Sequence, residues 1–261
     1  MNPPVALTVA GSDASGGAGV AADLATFAAL GVHGTAVITA VTAQNTTGVQ
    51  GVHPIPADFV ARQLDSVLGD LPVAGVKTGM LANRDIIAVI GDYAAAGQLP
   101  NLVVDPVMVS STGARLLDPG AEVLYLELLK HAMVATPNSR EARVLEEVGG
   151  LVEPSDPGLV NPGWLVITGE ATATDRVLHK GTWTEISGET IDTANDHGTG
   201  CTFSAAVAAG LASGTEPMNA ILAAKEFVRR QIIQSAGWQL GTGRGPVGHL
   251  PPAGRNWVGV G

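Results

Sequence analysis

Cys201 is the one cysteine in 261 residues, which excludes an intramolecular disulfide and any cysteine-based zinc cluster. A chain with a lone thiol suits a reducing compartment. Basic residues are scarce as well: 14 Lys and Arg stand against 24 Asp and Glu, for a formal net charge of −10. Nucleic acids and anionic membranes are held by clustered Lys and Arg, so neither is expected as a partner. An anionic substrate would have to be gripped locally, by backbone N–H groups, helix N-termini or bound Mg²⁺. The apolar run Val5–Ala10 is far shorter than the roughly 20 residues of a membrane helix, and Met1-Asn2-Pro3-Pro4 before it carries no basic leader. A soluble, cytoplasmic protein is expected. No repeat at a solenoid period is visible. With 46% hydrophobic and 15% charged residues, little of the chain is left over for disordered tails, and the composition predicts a compact globular fold.

Short apolar runs alternate with segments of helical period. Val5–Ala10 reads as a strand and Gly19–Leu30 as a helix with Val20, Leu24 and Phe27 on one face. The rhythm continues with strand Thr35–Thr42, helix Ala57–Leu68, strand Val73–Lys77, helix Asp85–Ala96 and strand Leu102–Asp105. Met133–Thr136 and Leu165–Thr168 are further strands, Asp175–Ser187 is a pair of short antiparallel strands, and Thr199–Leu211 and Pro217–Ser235 are helices. Val152–Gly163, rich in Pro, Gly, Asp and Ser, reads as a loop, and the tail from Gly237 as irregular. Strands that are apolar almost throughout, separated by helices, predict an α/β fold: a central, mostly parallel sheet covered by helices on both faces, in a single domain over residues 1–261.

Two glycine segments stand where such folds bind ligands. Gly198-Thr199-Gly200-Cys201 runs straight into the helix-forming stretch Ser204–Ala209. Bare glycines at a helix N-terminus let an anion approach unpaired N–H groups, although a glycine-rich turn capped by Thr199 reads equally well. The same terminus is expected to lower the thiol pKa of Cys201, while a lone cysteine is also common core packing. Proximity to His197 leaves a Cys–His hydrolase open. Gly11–Gly19 follows the first strand, but it has neither the Lys-Ser/Thr end of a P-loop nor the spacing of a dinucleotide fingerprint. Asp105 and Glu141 follow strands and are expected at the same sheet edge. Asn138 and Glu141, three apart, could either orient Mg²⁺ and water or form a capping box. Gln44 is expected in a loop after the second strand, where its amide could read a heterocycle edge or be solvated. Met80 could cover a ring or fill core, and Lys225 reads as a solvated helix residue.

The order Ala10-Gly11-Ser12-Asp13 through Gly16-Gly17-Ala18-Gly19, Ala43-Gln44-Asn45-Thr46, Lys77-Thr78-Gly79-Met80, Val104-Asp105-Pro106-Val107-Met108, Thr136-Pro137-Asn138 and His197-Gly198-Thr199-Gly200-Cys201-Thr202 resembles hydroxymethylpyrimidine and phosphomethylpyrimidine kinases of thiamine biosynthesis. These belong to the ribokinase-like superfamily. The resemblance spans most of the chain. It implies a ribokinase-like fold and ATP-dependent phosphorylation of 4-amino-5-hydroxymethyl-2-methylpyrimidine, its monophosphate, or both. It implies Cys201 as the group accepting the hydroxymethyl proton, with the γ-phosphate at Gly198, Thr199, Gly200 and Cys201. Gln44 would bond the pyrimidine, Gly11, Ala18, Met80 and Val107 would form its pocket, and Asp23 would lie nearby. Asp105 and Glu141 would serve Mg²⁺ through water, and ATP would lie along Asn138, Thr168, Gly169 and the final helices with Lys225. A homodimer is implied too.

One departure is visible. Relatives carry Lys-Gly-Gly-His after the strand that here reads Leu165-Val166-Ile167-Thr168-Gly169-Glu170, and the helix preceding that strand has no room between Leu151 and Trp164. The adenine side is therefore expected to differ from the family's. Alternatives to the kinase reading are a pyridoxal kinase of the same fold, the Cys–His hydrolase, and a pyrimidine-binding protein with a weakened ATP site.

Overall fold

The computed structural model describes residues 2–149, 162–169 and 173–250. The expected loop over 152–163 lies outside the described residues up to position 161, as do the place of the missing helix, Glu170, and the tail beyond Leu250. Ten strands and seven helices are described: β1 Val5–Ala10, α1 Gly19–Ala29, β2 His33–Ile38, β3 Ala40–Asn45, β4 Gly48–Pro54, α2 Ala57–Leu68, β5 Val73–Thr78, α3 Arg84–Ala95, β6 Val103–Val104, α4 Glu122–Leu129, β7 Val134–Ala135, α5 Ser139–Gly149, β8 Trp164–Ile167, β9 Asp175–His179, β10 Thr182–Ile186, α6 Thr199–Ala212 and α7 Pro217–Ser235.

Eight strands form one sheet in the order β10-β9-β8-β7-β6-β5-β1-β2, parallel from β8 to β2, with β9 and β10 antiparallel at one edge. Side chains alternate across this sheet. Leu7, Val104, Ala135, Leu165 and Leu178 join one core with residues of α2, α3, α4 and α5. Ala6, Val103, Val134, Val166 and Val177 join the other with α1, α6 and α7. Burial on both faces explains why these strands read as continuous apolar runs.

The stretch expected as one strand, Thr35–Thr42, is two. Its break falls at Thr39, whose N–H donates to Ala10 O and whose hydroxyl donates to Met80 O at 2.6 Å. Beyond it β3 leaves the main sheet and pairs antiparallel with β4, a strand that periodicity did not reveal. β6 and β7 are shorter than expected. Helices α4 and α5 were not among the expected elements. α4 is buried on several sides, Tyr125, Leu126, Leu128 and Leu129 included, so it carries no single apolar stripe.

Beneath the carboxyl end of β1 lies a buried ion pair. Lys77 of β5 reaches Asp23 of α1 at 2.8 and 2.9 Å, both side chains fully buried, and Thr8 of β1 donates to the same carboxylate at 2.6 Å. Burial works against the ammonium, but the Asp23 carboxylate beside it, with Cys201 and Asp105 farther off, holds the Lys77 pKa above its ordinary value. Removing one partner leaves an uncompensated buried charge. Lys77→Met is expected to lower unfolding free energy by about 3 to 5 kcal/mol in urea titrations, and adding Asp23→Asn should recover most of the loss. A single variant within 1 kcal/mol of the parent would show that the pair does not hold the fold.

Candidate active site

The strand order reverses at β1, whose neighbours are β2 and β5, and the carboxyl ends beside such a reversal form a crevice between helices on opposite faces. Here that crevice is a cleft of about 1180 Å³, somewhat larger than the roughly 300–1,000 Å³ of ordinary small-molecule pockets. Gly11, Ala18, Gln44, Met80, Asp105, Val107, Asn138, Glu141, Thr168, Gly169, Gly198, Thr199, Gly200, Cys201 and Lys225 all line it. Asp23 does not. It is wholly buried below the wall, engaged by Lys77 and Thr8, so its expected place beside a pyrimidine is corrected to a support under Lys77, which does line the cleft.

The two glycine segments pack backbone to backbone. Gly198 has φ +88°, and a Cβ there would lie 1.9 Å from Gly17 O; Gly19 has φ +57°, and its Cβ would lie 2.3 Å from Gly11 O. Only glycine fits either position. At Gly200 an added Cβ would meet nothing within 4 Å, so the first turn of α6 opens on the cleft. The N-cap of α6 is Gly198 rather than Thr199, and no side chain caps the helix. An open, uncapped helix N-terminus is an anion-binding geometry.

His197 joins the two halves. Its Nε2 lies 2.8 Å from Asp13 Oδ2 and 3.4 Å from Gln44 Nε2, and its Nδ1 lies 2.7 Å from Ser111 Oγ. Asp13 also accepts from Ser15 N and Oγ and from Ala18 N. Burial would raise its carboxyl, but His197 and Ser15 hold it below the ordinary range. With the imidazole engaged by Asp13 and Ser111, the geometry favours a tie between segments over a Cys–His hydrolase pair. Gln44 stands within β3, not in a loop, and its amide oxygen lies 3.4 Å from Thr42 Oγ1.

Cys201 faces the Gly19 N–H, Lys77, Asp23 and Asp105. Burial pushes its thiol up to about 12; Lys77 opposes the rise, and Asp23 and Asp105 add to it. The expected lowering by the helix terminus is thus reversed, because desolvation and two carboxylates outweigh a partial charge. Asp105 is pushed up to about 6 by burial, against the pull of Lys77, 4.0 Å away, and of Ser204, which donates to it at 3.0 Å. Asn138 and Glu141 form the reciprocal capping box: Asn138 Oδ1 accepts from Glu141 N, and Glu141 Oε2 accepts from Asn138 N, both at 3.0 Å. Both also face the cleft. Lys225 is not solvated as expected; it binds Asp175 Oδ2 at 2.7 Å and Ala173 O at 2.8 Å, beside Gly169.

Thr136 Oγ1, buried and without a partner, shares this wall with Asp105 and Glu141. Among the described residues no three His, Cys, Asp or Glu side chains converge as a metal cage. That donor set fits Mg²⁺, which keeps several waters and takes phosphate oxygens with one or two carboxylates.

The chain after α7 returns along the cleft. Gly243 N donates to Thr46 Oγ1, Arg244 N to Thr46 O, and Gly245 N to Ala194 O. Arg244 pairs with Asp196, and its Nη1 donates to Ser111 O at 3.2 Å. Sequence reading gives Asp13, Ser111 and Arg244 no role in the site and weighs His197, which stands directly before Gly198, only as a hydrolase partner of Cys201. A thiol held near 12 is almost wholly protonated at pH 8. Iodoacetamide should therefore label Cys201 at least about a hundredfold more slowly than free cysteine, read by intact-mass spectrometry; labelling at the free rate would refute the raised pKa.

A family model for phosphomethylpyrimidine kinase matches residues 13–248. A hydroxymethylpyrimidine/phosphomethylpyrimidine kinase of Rhizobium meliloti is 42% identical over 94% of this chain and 97% of its own length. Among solved structures, Bacillus subtilis pyridoxal kinase in an ADP complex superposes with a TM-score of 0.83 at 36% identity, over 95% of this chain and 98% of that one. Phosphomethylpyrimidine kinase of Clostridium difficile 630 gives a TM-score of 0.73 at 34% identity, over 87% and 99%. This chain, with its paired glycine turns and its Cys201 at the head of α6, belongs to the phosphomethylpyrimidine kinase family.

Proposed function

We propose that the protein transfers the γ-phosphoryl group of ATP to the hydroxymethyl group of hydroxymethylpyrimidine and then to the resulting monophosphate, within thiamine diphosphate biosynthesis in the cytoplasm. Among the described residues no helix is long and apolar enough to cross a membrane. The observation that carries the proposal is the uncapped turn Gly198–Cys201 opening on a cleft that Gln44 also lines, against the neighbouring His197.

Gln44, Gly11, Ala18, Met80 and Val107 receive the pyrimidine. Gly198, Thr199 and Gly200 present N–H groups to the phosphoryl oxygens, where fixed donors stabilise charge as it spreads. Thr168, Gly169 and Asn138 border the nucleotide, and Lys225, held by Asp175 beside Gly169, supplies a cation on the side where the family's lysine is missing. Asp105 and Glu141 would hold Mg²⁺ through water, where it would supply charge neutralisation at the phosphates. Cys201 takes the hydroxyl proton as the new P–O bond forms. Its raised pKa means that only a small thiolate fraction is active near neutrality. A single kinase domain over residues 1–261 is part of the same proposal.

ATP consumption with hydroxymethylpyrimidine, its monophosphate and pyridoxal, each followed by phosphorus NMR, tests the reading. Turnover of the first two is expected; the TM-score of 0.83 to pyridoxal kinase makes pyridoxal the acceptor to compare. Tight pyrimidine binding without ATP turnover would leave only a binding protein. Cys201→Ala should lower kcat for the alcohol by about 10²- to 10⁴-fold with little change in KM. If the thiolate is the base, kcat/KM should rise about tenfold per pH unit between pH 7 and 9; a flat profile would exclude it.

We also propose a homodimer. Among the described residues the β3–β4 pair makes its ladder only with itself, and it leaves Val41 49% exposed, an edge of the kind another chain can cover. Sedimentation velocity at micromolar concentration should give twice the 26.4 kDa of one chain, and a 26.4 kDa species would overturn the dimer.

A further inference from the structure

We infer that Arg244 binds the phosphate of a phosphorylated acceptor, and so serves the second phosphoryl transfer rather than the first. The inference rests on the proposed two-step reaction. The two steps differ in charge. In the first, a neutral hydroxyl attacks and a proton must leave. In the second, an oxygen of the acceptor's phosphate forms a bond to the γ-phosphorus while the bridging bond to the β-phosphate breaks and ADP leaves with the electron pair. No hydroxyl proton is involved, but an acceptor carrying about −1.5 to −2 charge must approach another phosphate. A chain with net charge −10 offers that approach no general attraction, so a local cation is needed.

Among the described residues, five Lys and Arg side chains line the cleft. Lys77 is buried on Asp23, Lys225 is bound to Asp175 beside Gly169, and Arg229 is paired with Glu226 on α7. Arg140 stands on the first turn of α5, next to Asn138 and Glu141. Arg244 alone among them sits with the acceptor-side group: its Nη1 reaches Ser111 O, Ser111 Oγ reaches His197, and His197 lies against Gln44. Its carboxylate partner, Asp196, stands two residues before Gly198.

A latch would be the plainer role for Arg244, but the backbone already does that work. Arg244 N donates to Thr46 O at 3.0 Å, Gly245 N to Ala194 O at 3.1 Å, His197 N to Gly245 O at 3.0 Å and Val247 N to His197 O at 3.0 Å. The flanking glycines are sterically required: a Cβ at 243 would lie 1.9 Å from Thr46 O, and one at 245 would lie 1.7 Å from Asn195 Oδ1. The segment is fixed without the guanidinium. The Arg244 side chain is half exposed, and surface pairs of this kind contribute about 0 to 1 kcal/mol. A planar guanidinium on a rigid backbone, able to exchange a carboxylate for a phosphate, is the usual partner of such an anion.

The test measures kcat/KM with hydroxymethylpyrimidine and with its monophosphate for the parent, Arg244→Gln, Arg244→Lys and Asp196→Asn proteins. Arg244→Gln should lose about ten- to a hundredfold more with the monophosphate than with the alcohol, the size of a charged hydrogen bond. Arg244→Lys should recover part of that difference. Asp196→Asn, which breaks the pair but keeps the guanidinium, should hold the preference for the monophosphate over the alcohol at or above the parent value. Equal losses on both acceptors, or the same ratio change from Asp196→Asn, would reduce Arg244 to a latch and overturn the inference. So would a parent protein that uses the alcohol but not the monophosphate. A parent that uses neither refutes the proposed function itself, whatever the Arg244 variants do.

Discussion

The Lys77–Asp23 ion pair is the constraint on which the rest of the site depends. A charge at the centre of the fold is costly unless it is matched, and matching it fixes β5 against α1 at the point where the strand order reverses. The loops leaving β1 and β5 then share one crevice. Gly11 and Met80 meet there at contact distance, an added Cβ at 11 lying 2.9 Å from Met80 Sδ. The same ammonium is the nearest positive charge to Cys201 and Asp105, so a pair that looks purely structural also sets the electrostatics of the catalytic wall.

Much of this fold is legible in the bare residues because parallel strands buried on both faces read as unbroken apolar runs, and β1, β5, β8, α2 and α7 stand where periodicity places them. Legibility fails where a side chain or a partner strand decides the outcome. Thr39 ends β2 by bonding to Met80 O, a residue 41 positions away, and nothing local announces it. α4 escapes because its apolar residues are not gathered into one stripe.

The site divides in the same way. Gly198 and Gly200 are readable as a helix-start anion turn, yet the requirement for glycine at 198 comes from its left-handed backbone and from Gly17 O packed directly against it. The thiol of Cys201 shows the limit most plainly. A helix terminus favours the thiolate, and that much is visible from residue order; the desolvation and the two carboxylates that reverse the sign come from distant segments. Asp13 and His197, 184 positions apart, form the central tie of the cleft, and residue types alone carry no trace of their meeting.

The returning C-terminal segment has a consequence for how the protein is made. Gly243 bonds to Thr46 across 197 positions, and Gly245 and Val247 bond to the residues that precede the anion turn. Loop closure over such a span costs only slightly more than over half of it, about 0.6 kcal/mol per doubling, so the contact is thermodynamically cheap, but it can form only once residues 243–247 have been made. A nascent chain emerging from the ribosome could assemble the sheet and pair Lys77 with Asp23 long before its cleft acquired a finished acceptor wall. The order of synthesis thus separates folding from competence, with residues 243–247 completing a wall whose other members were made first.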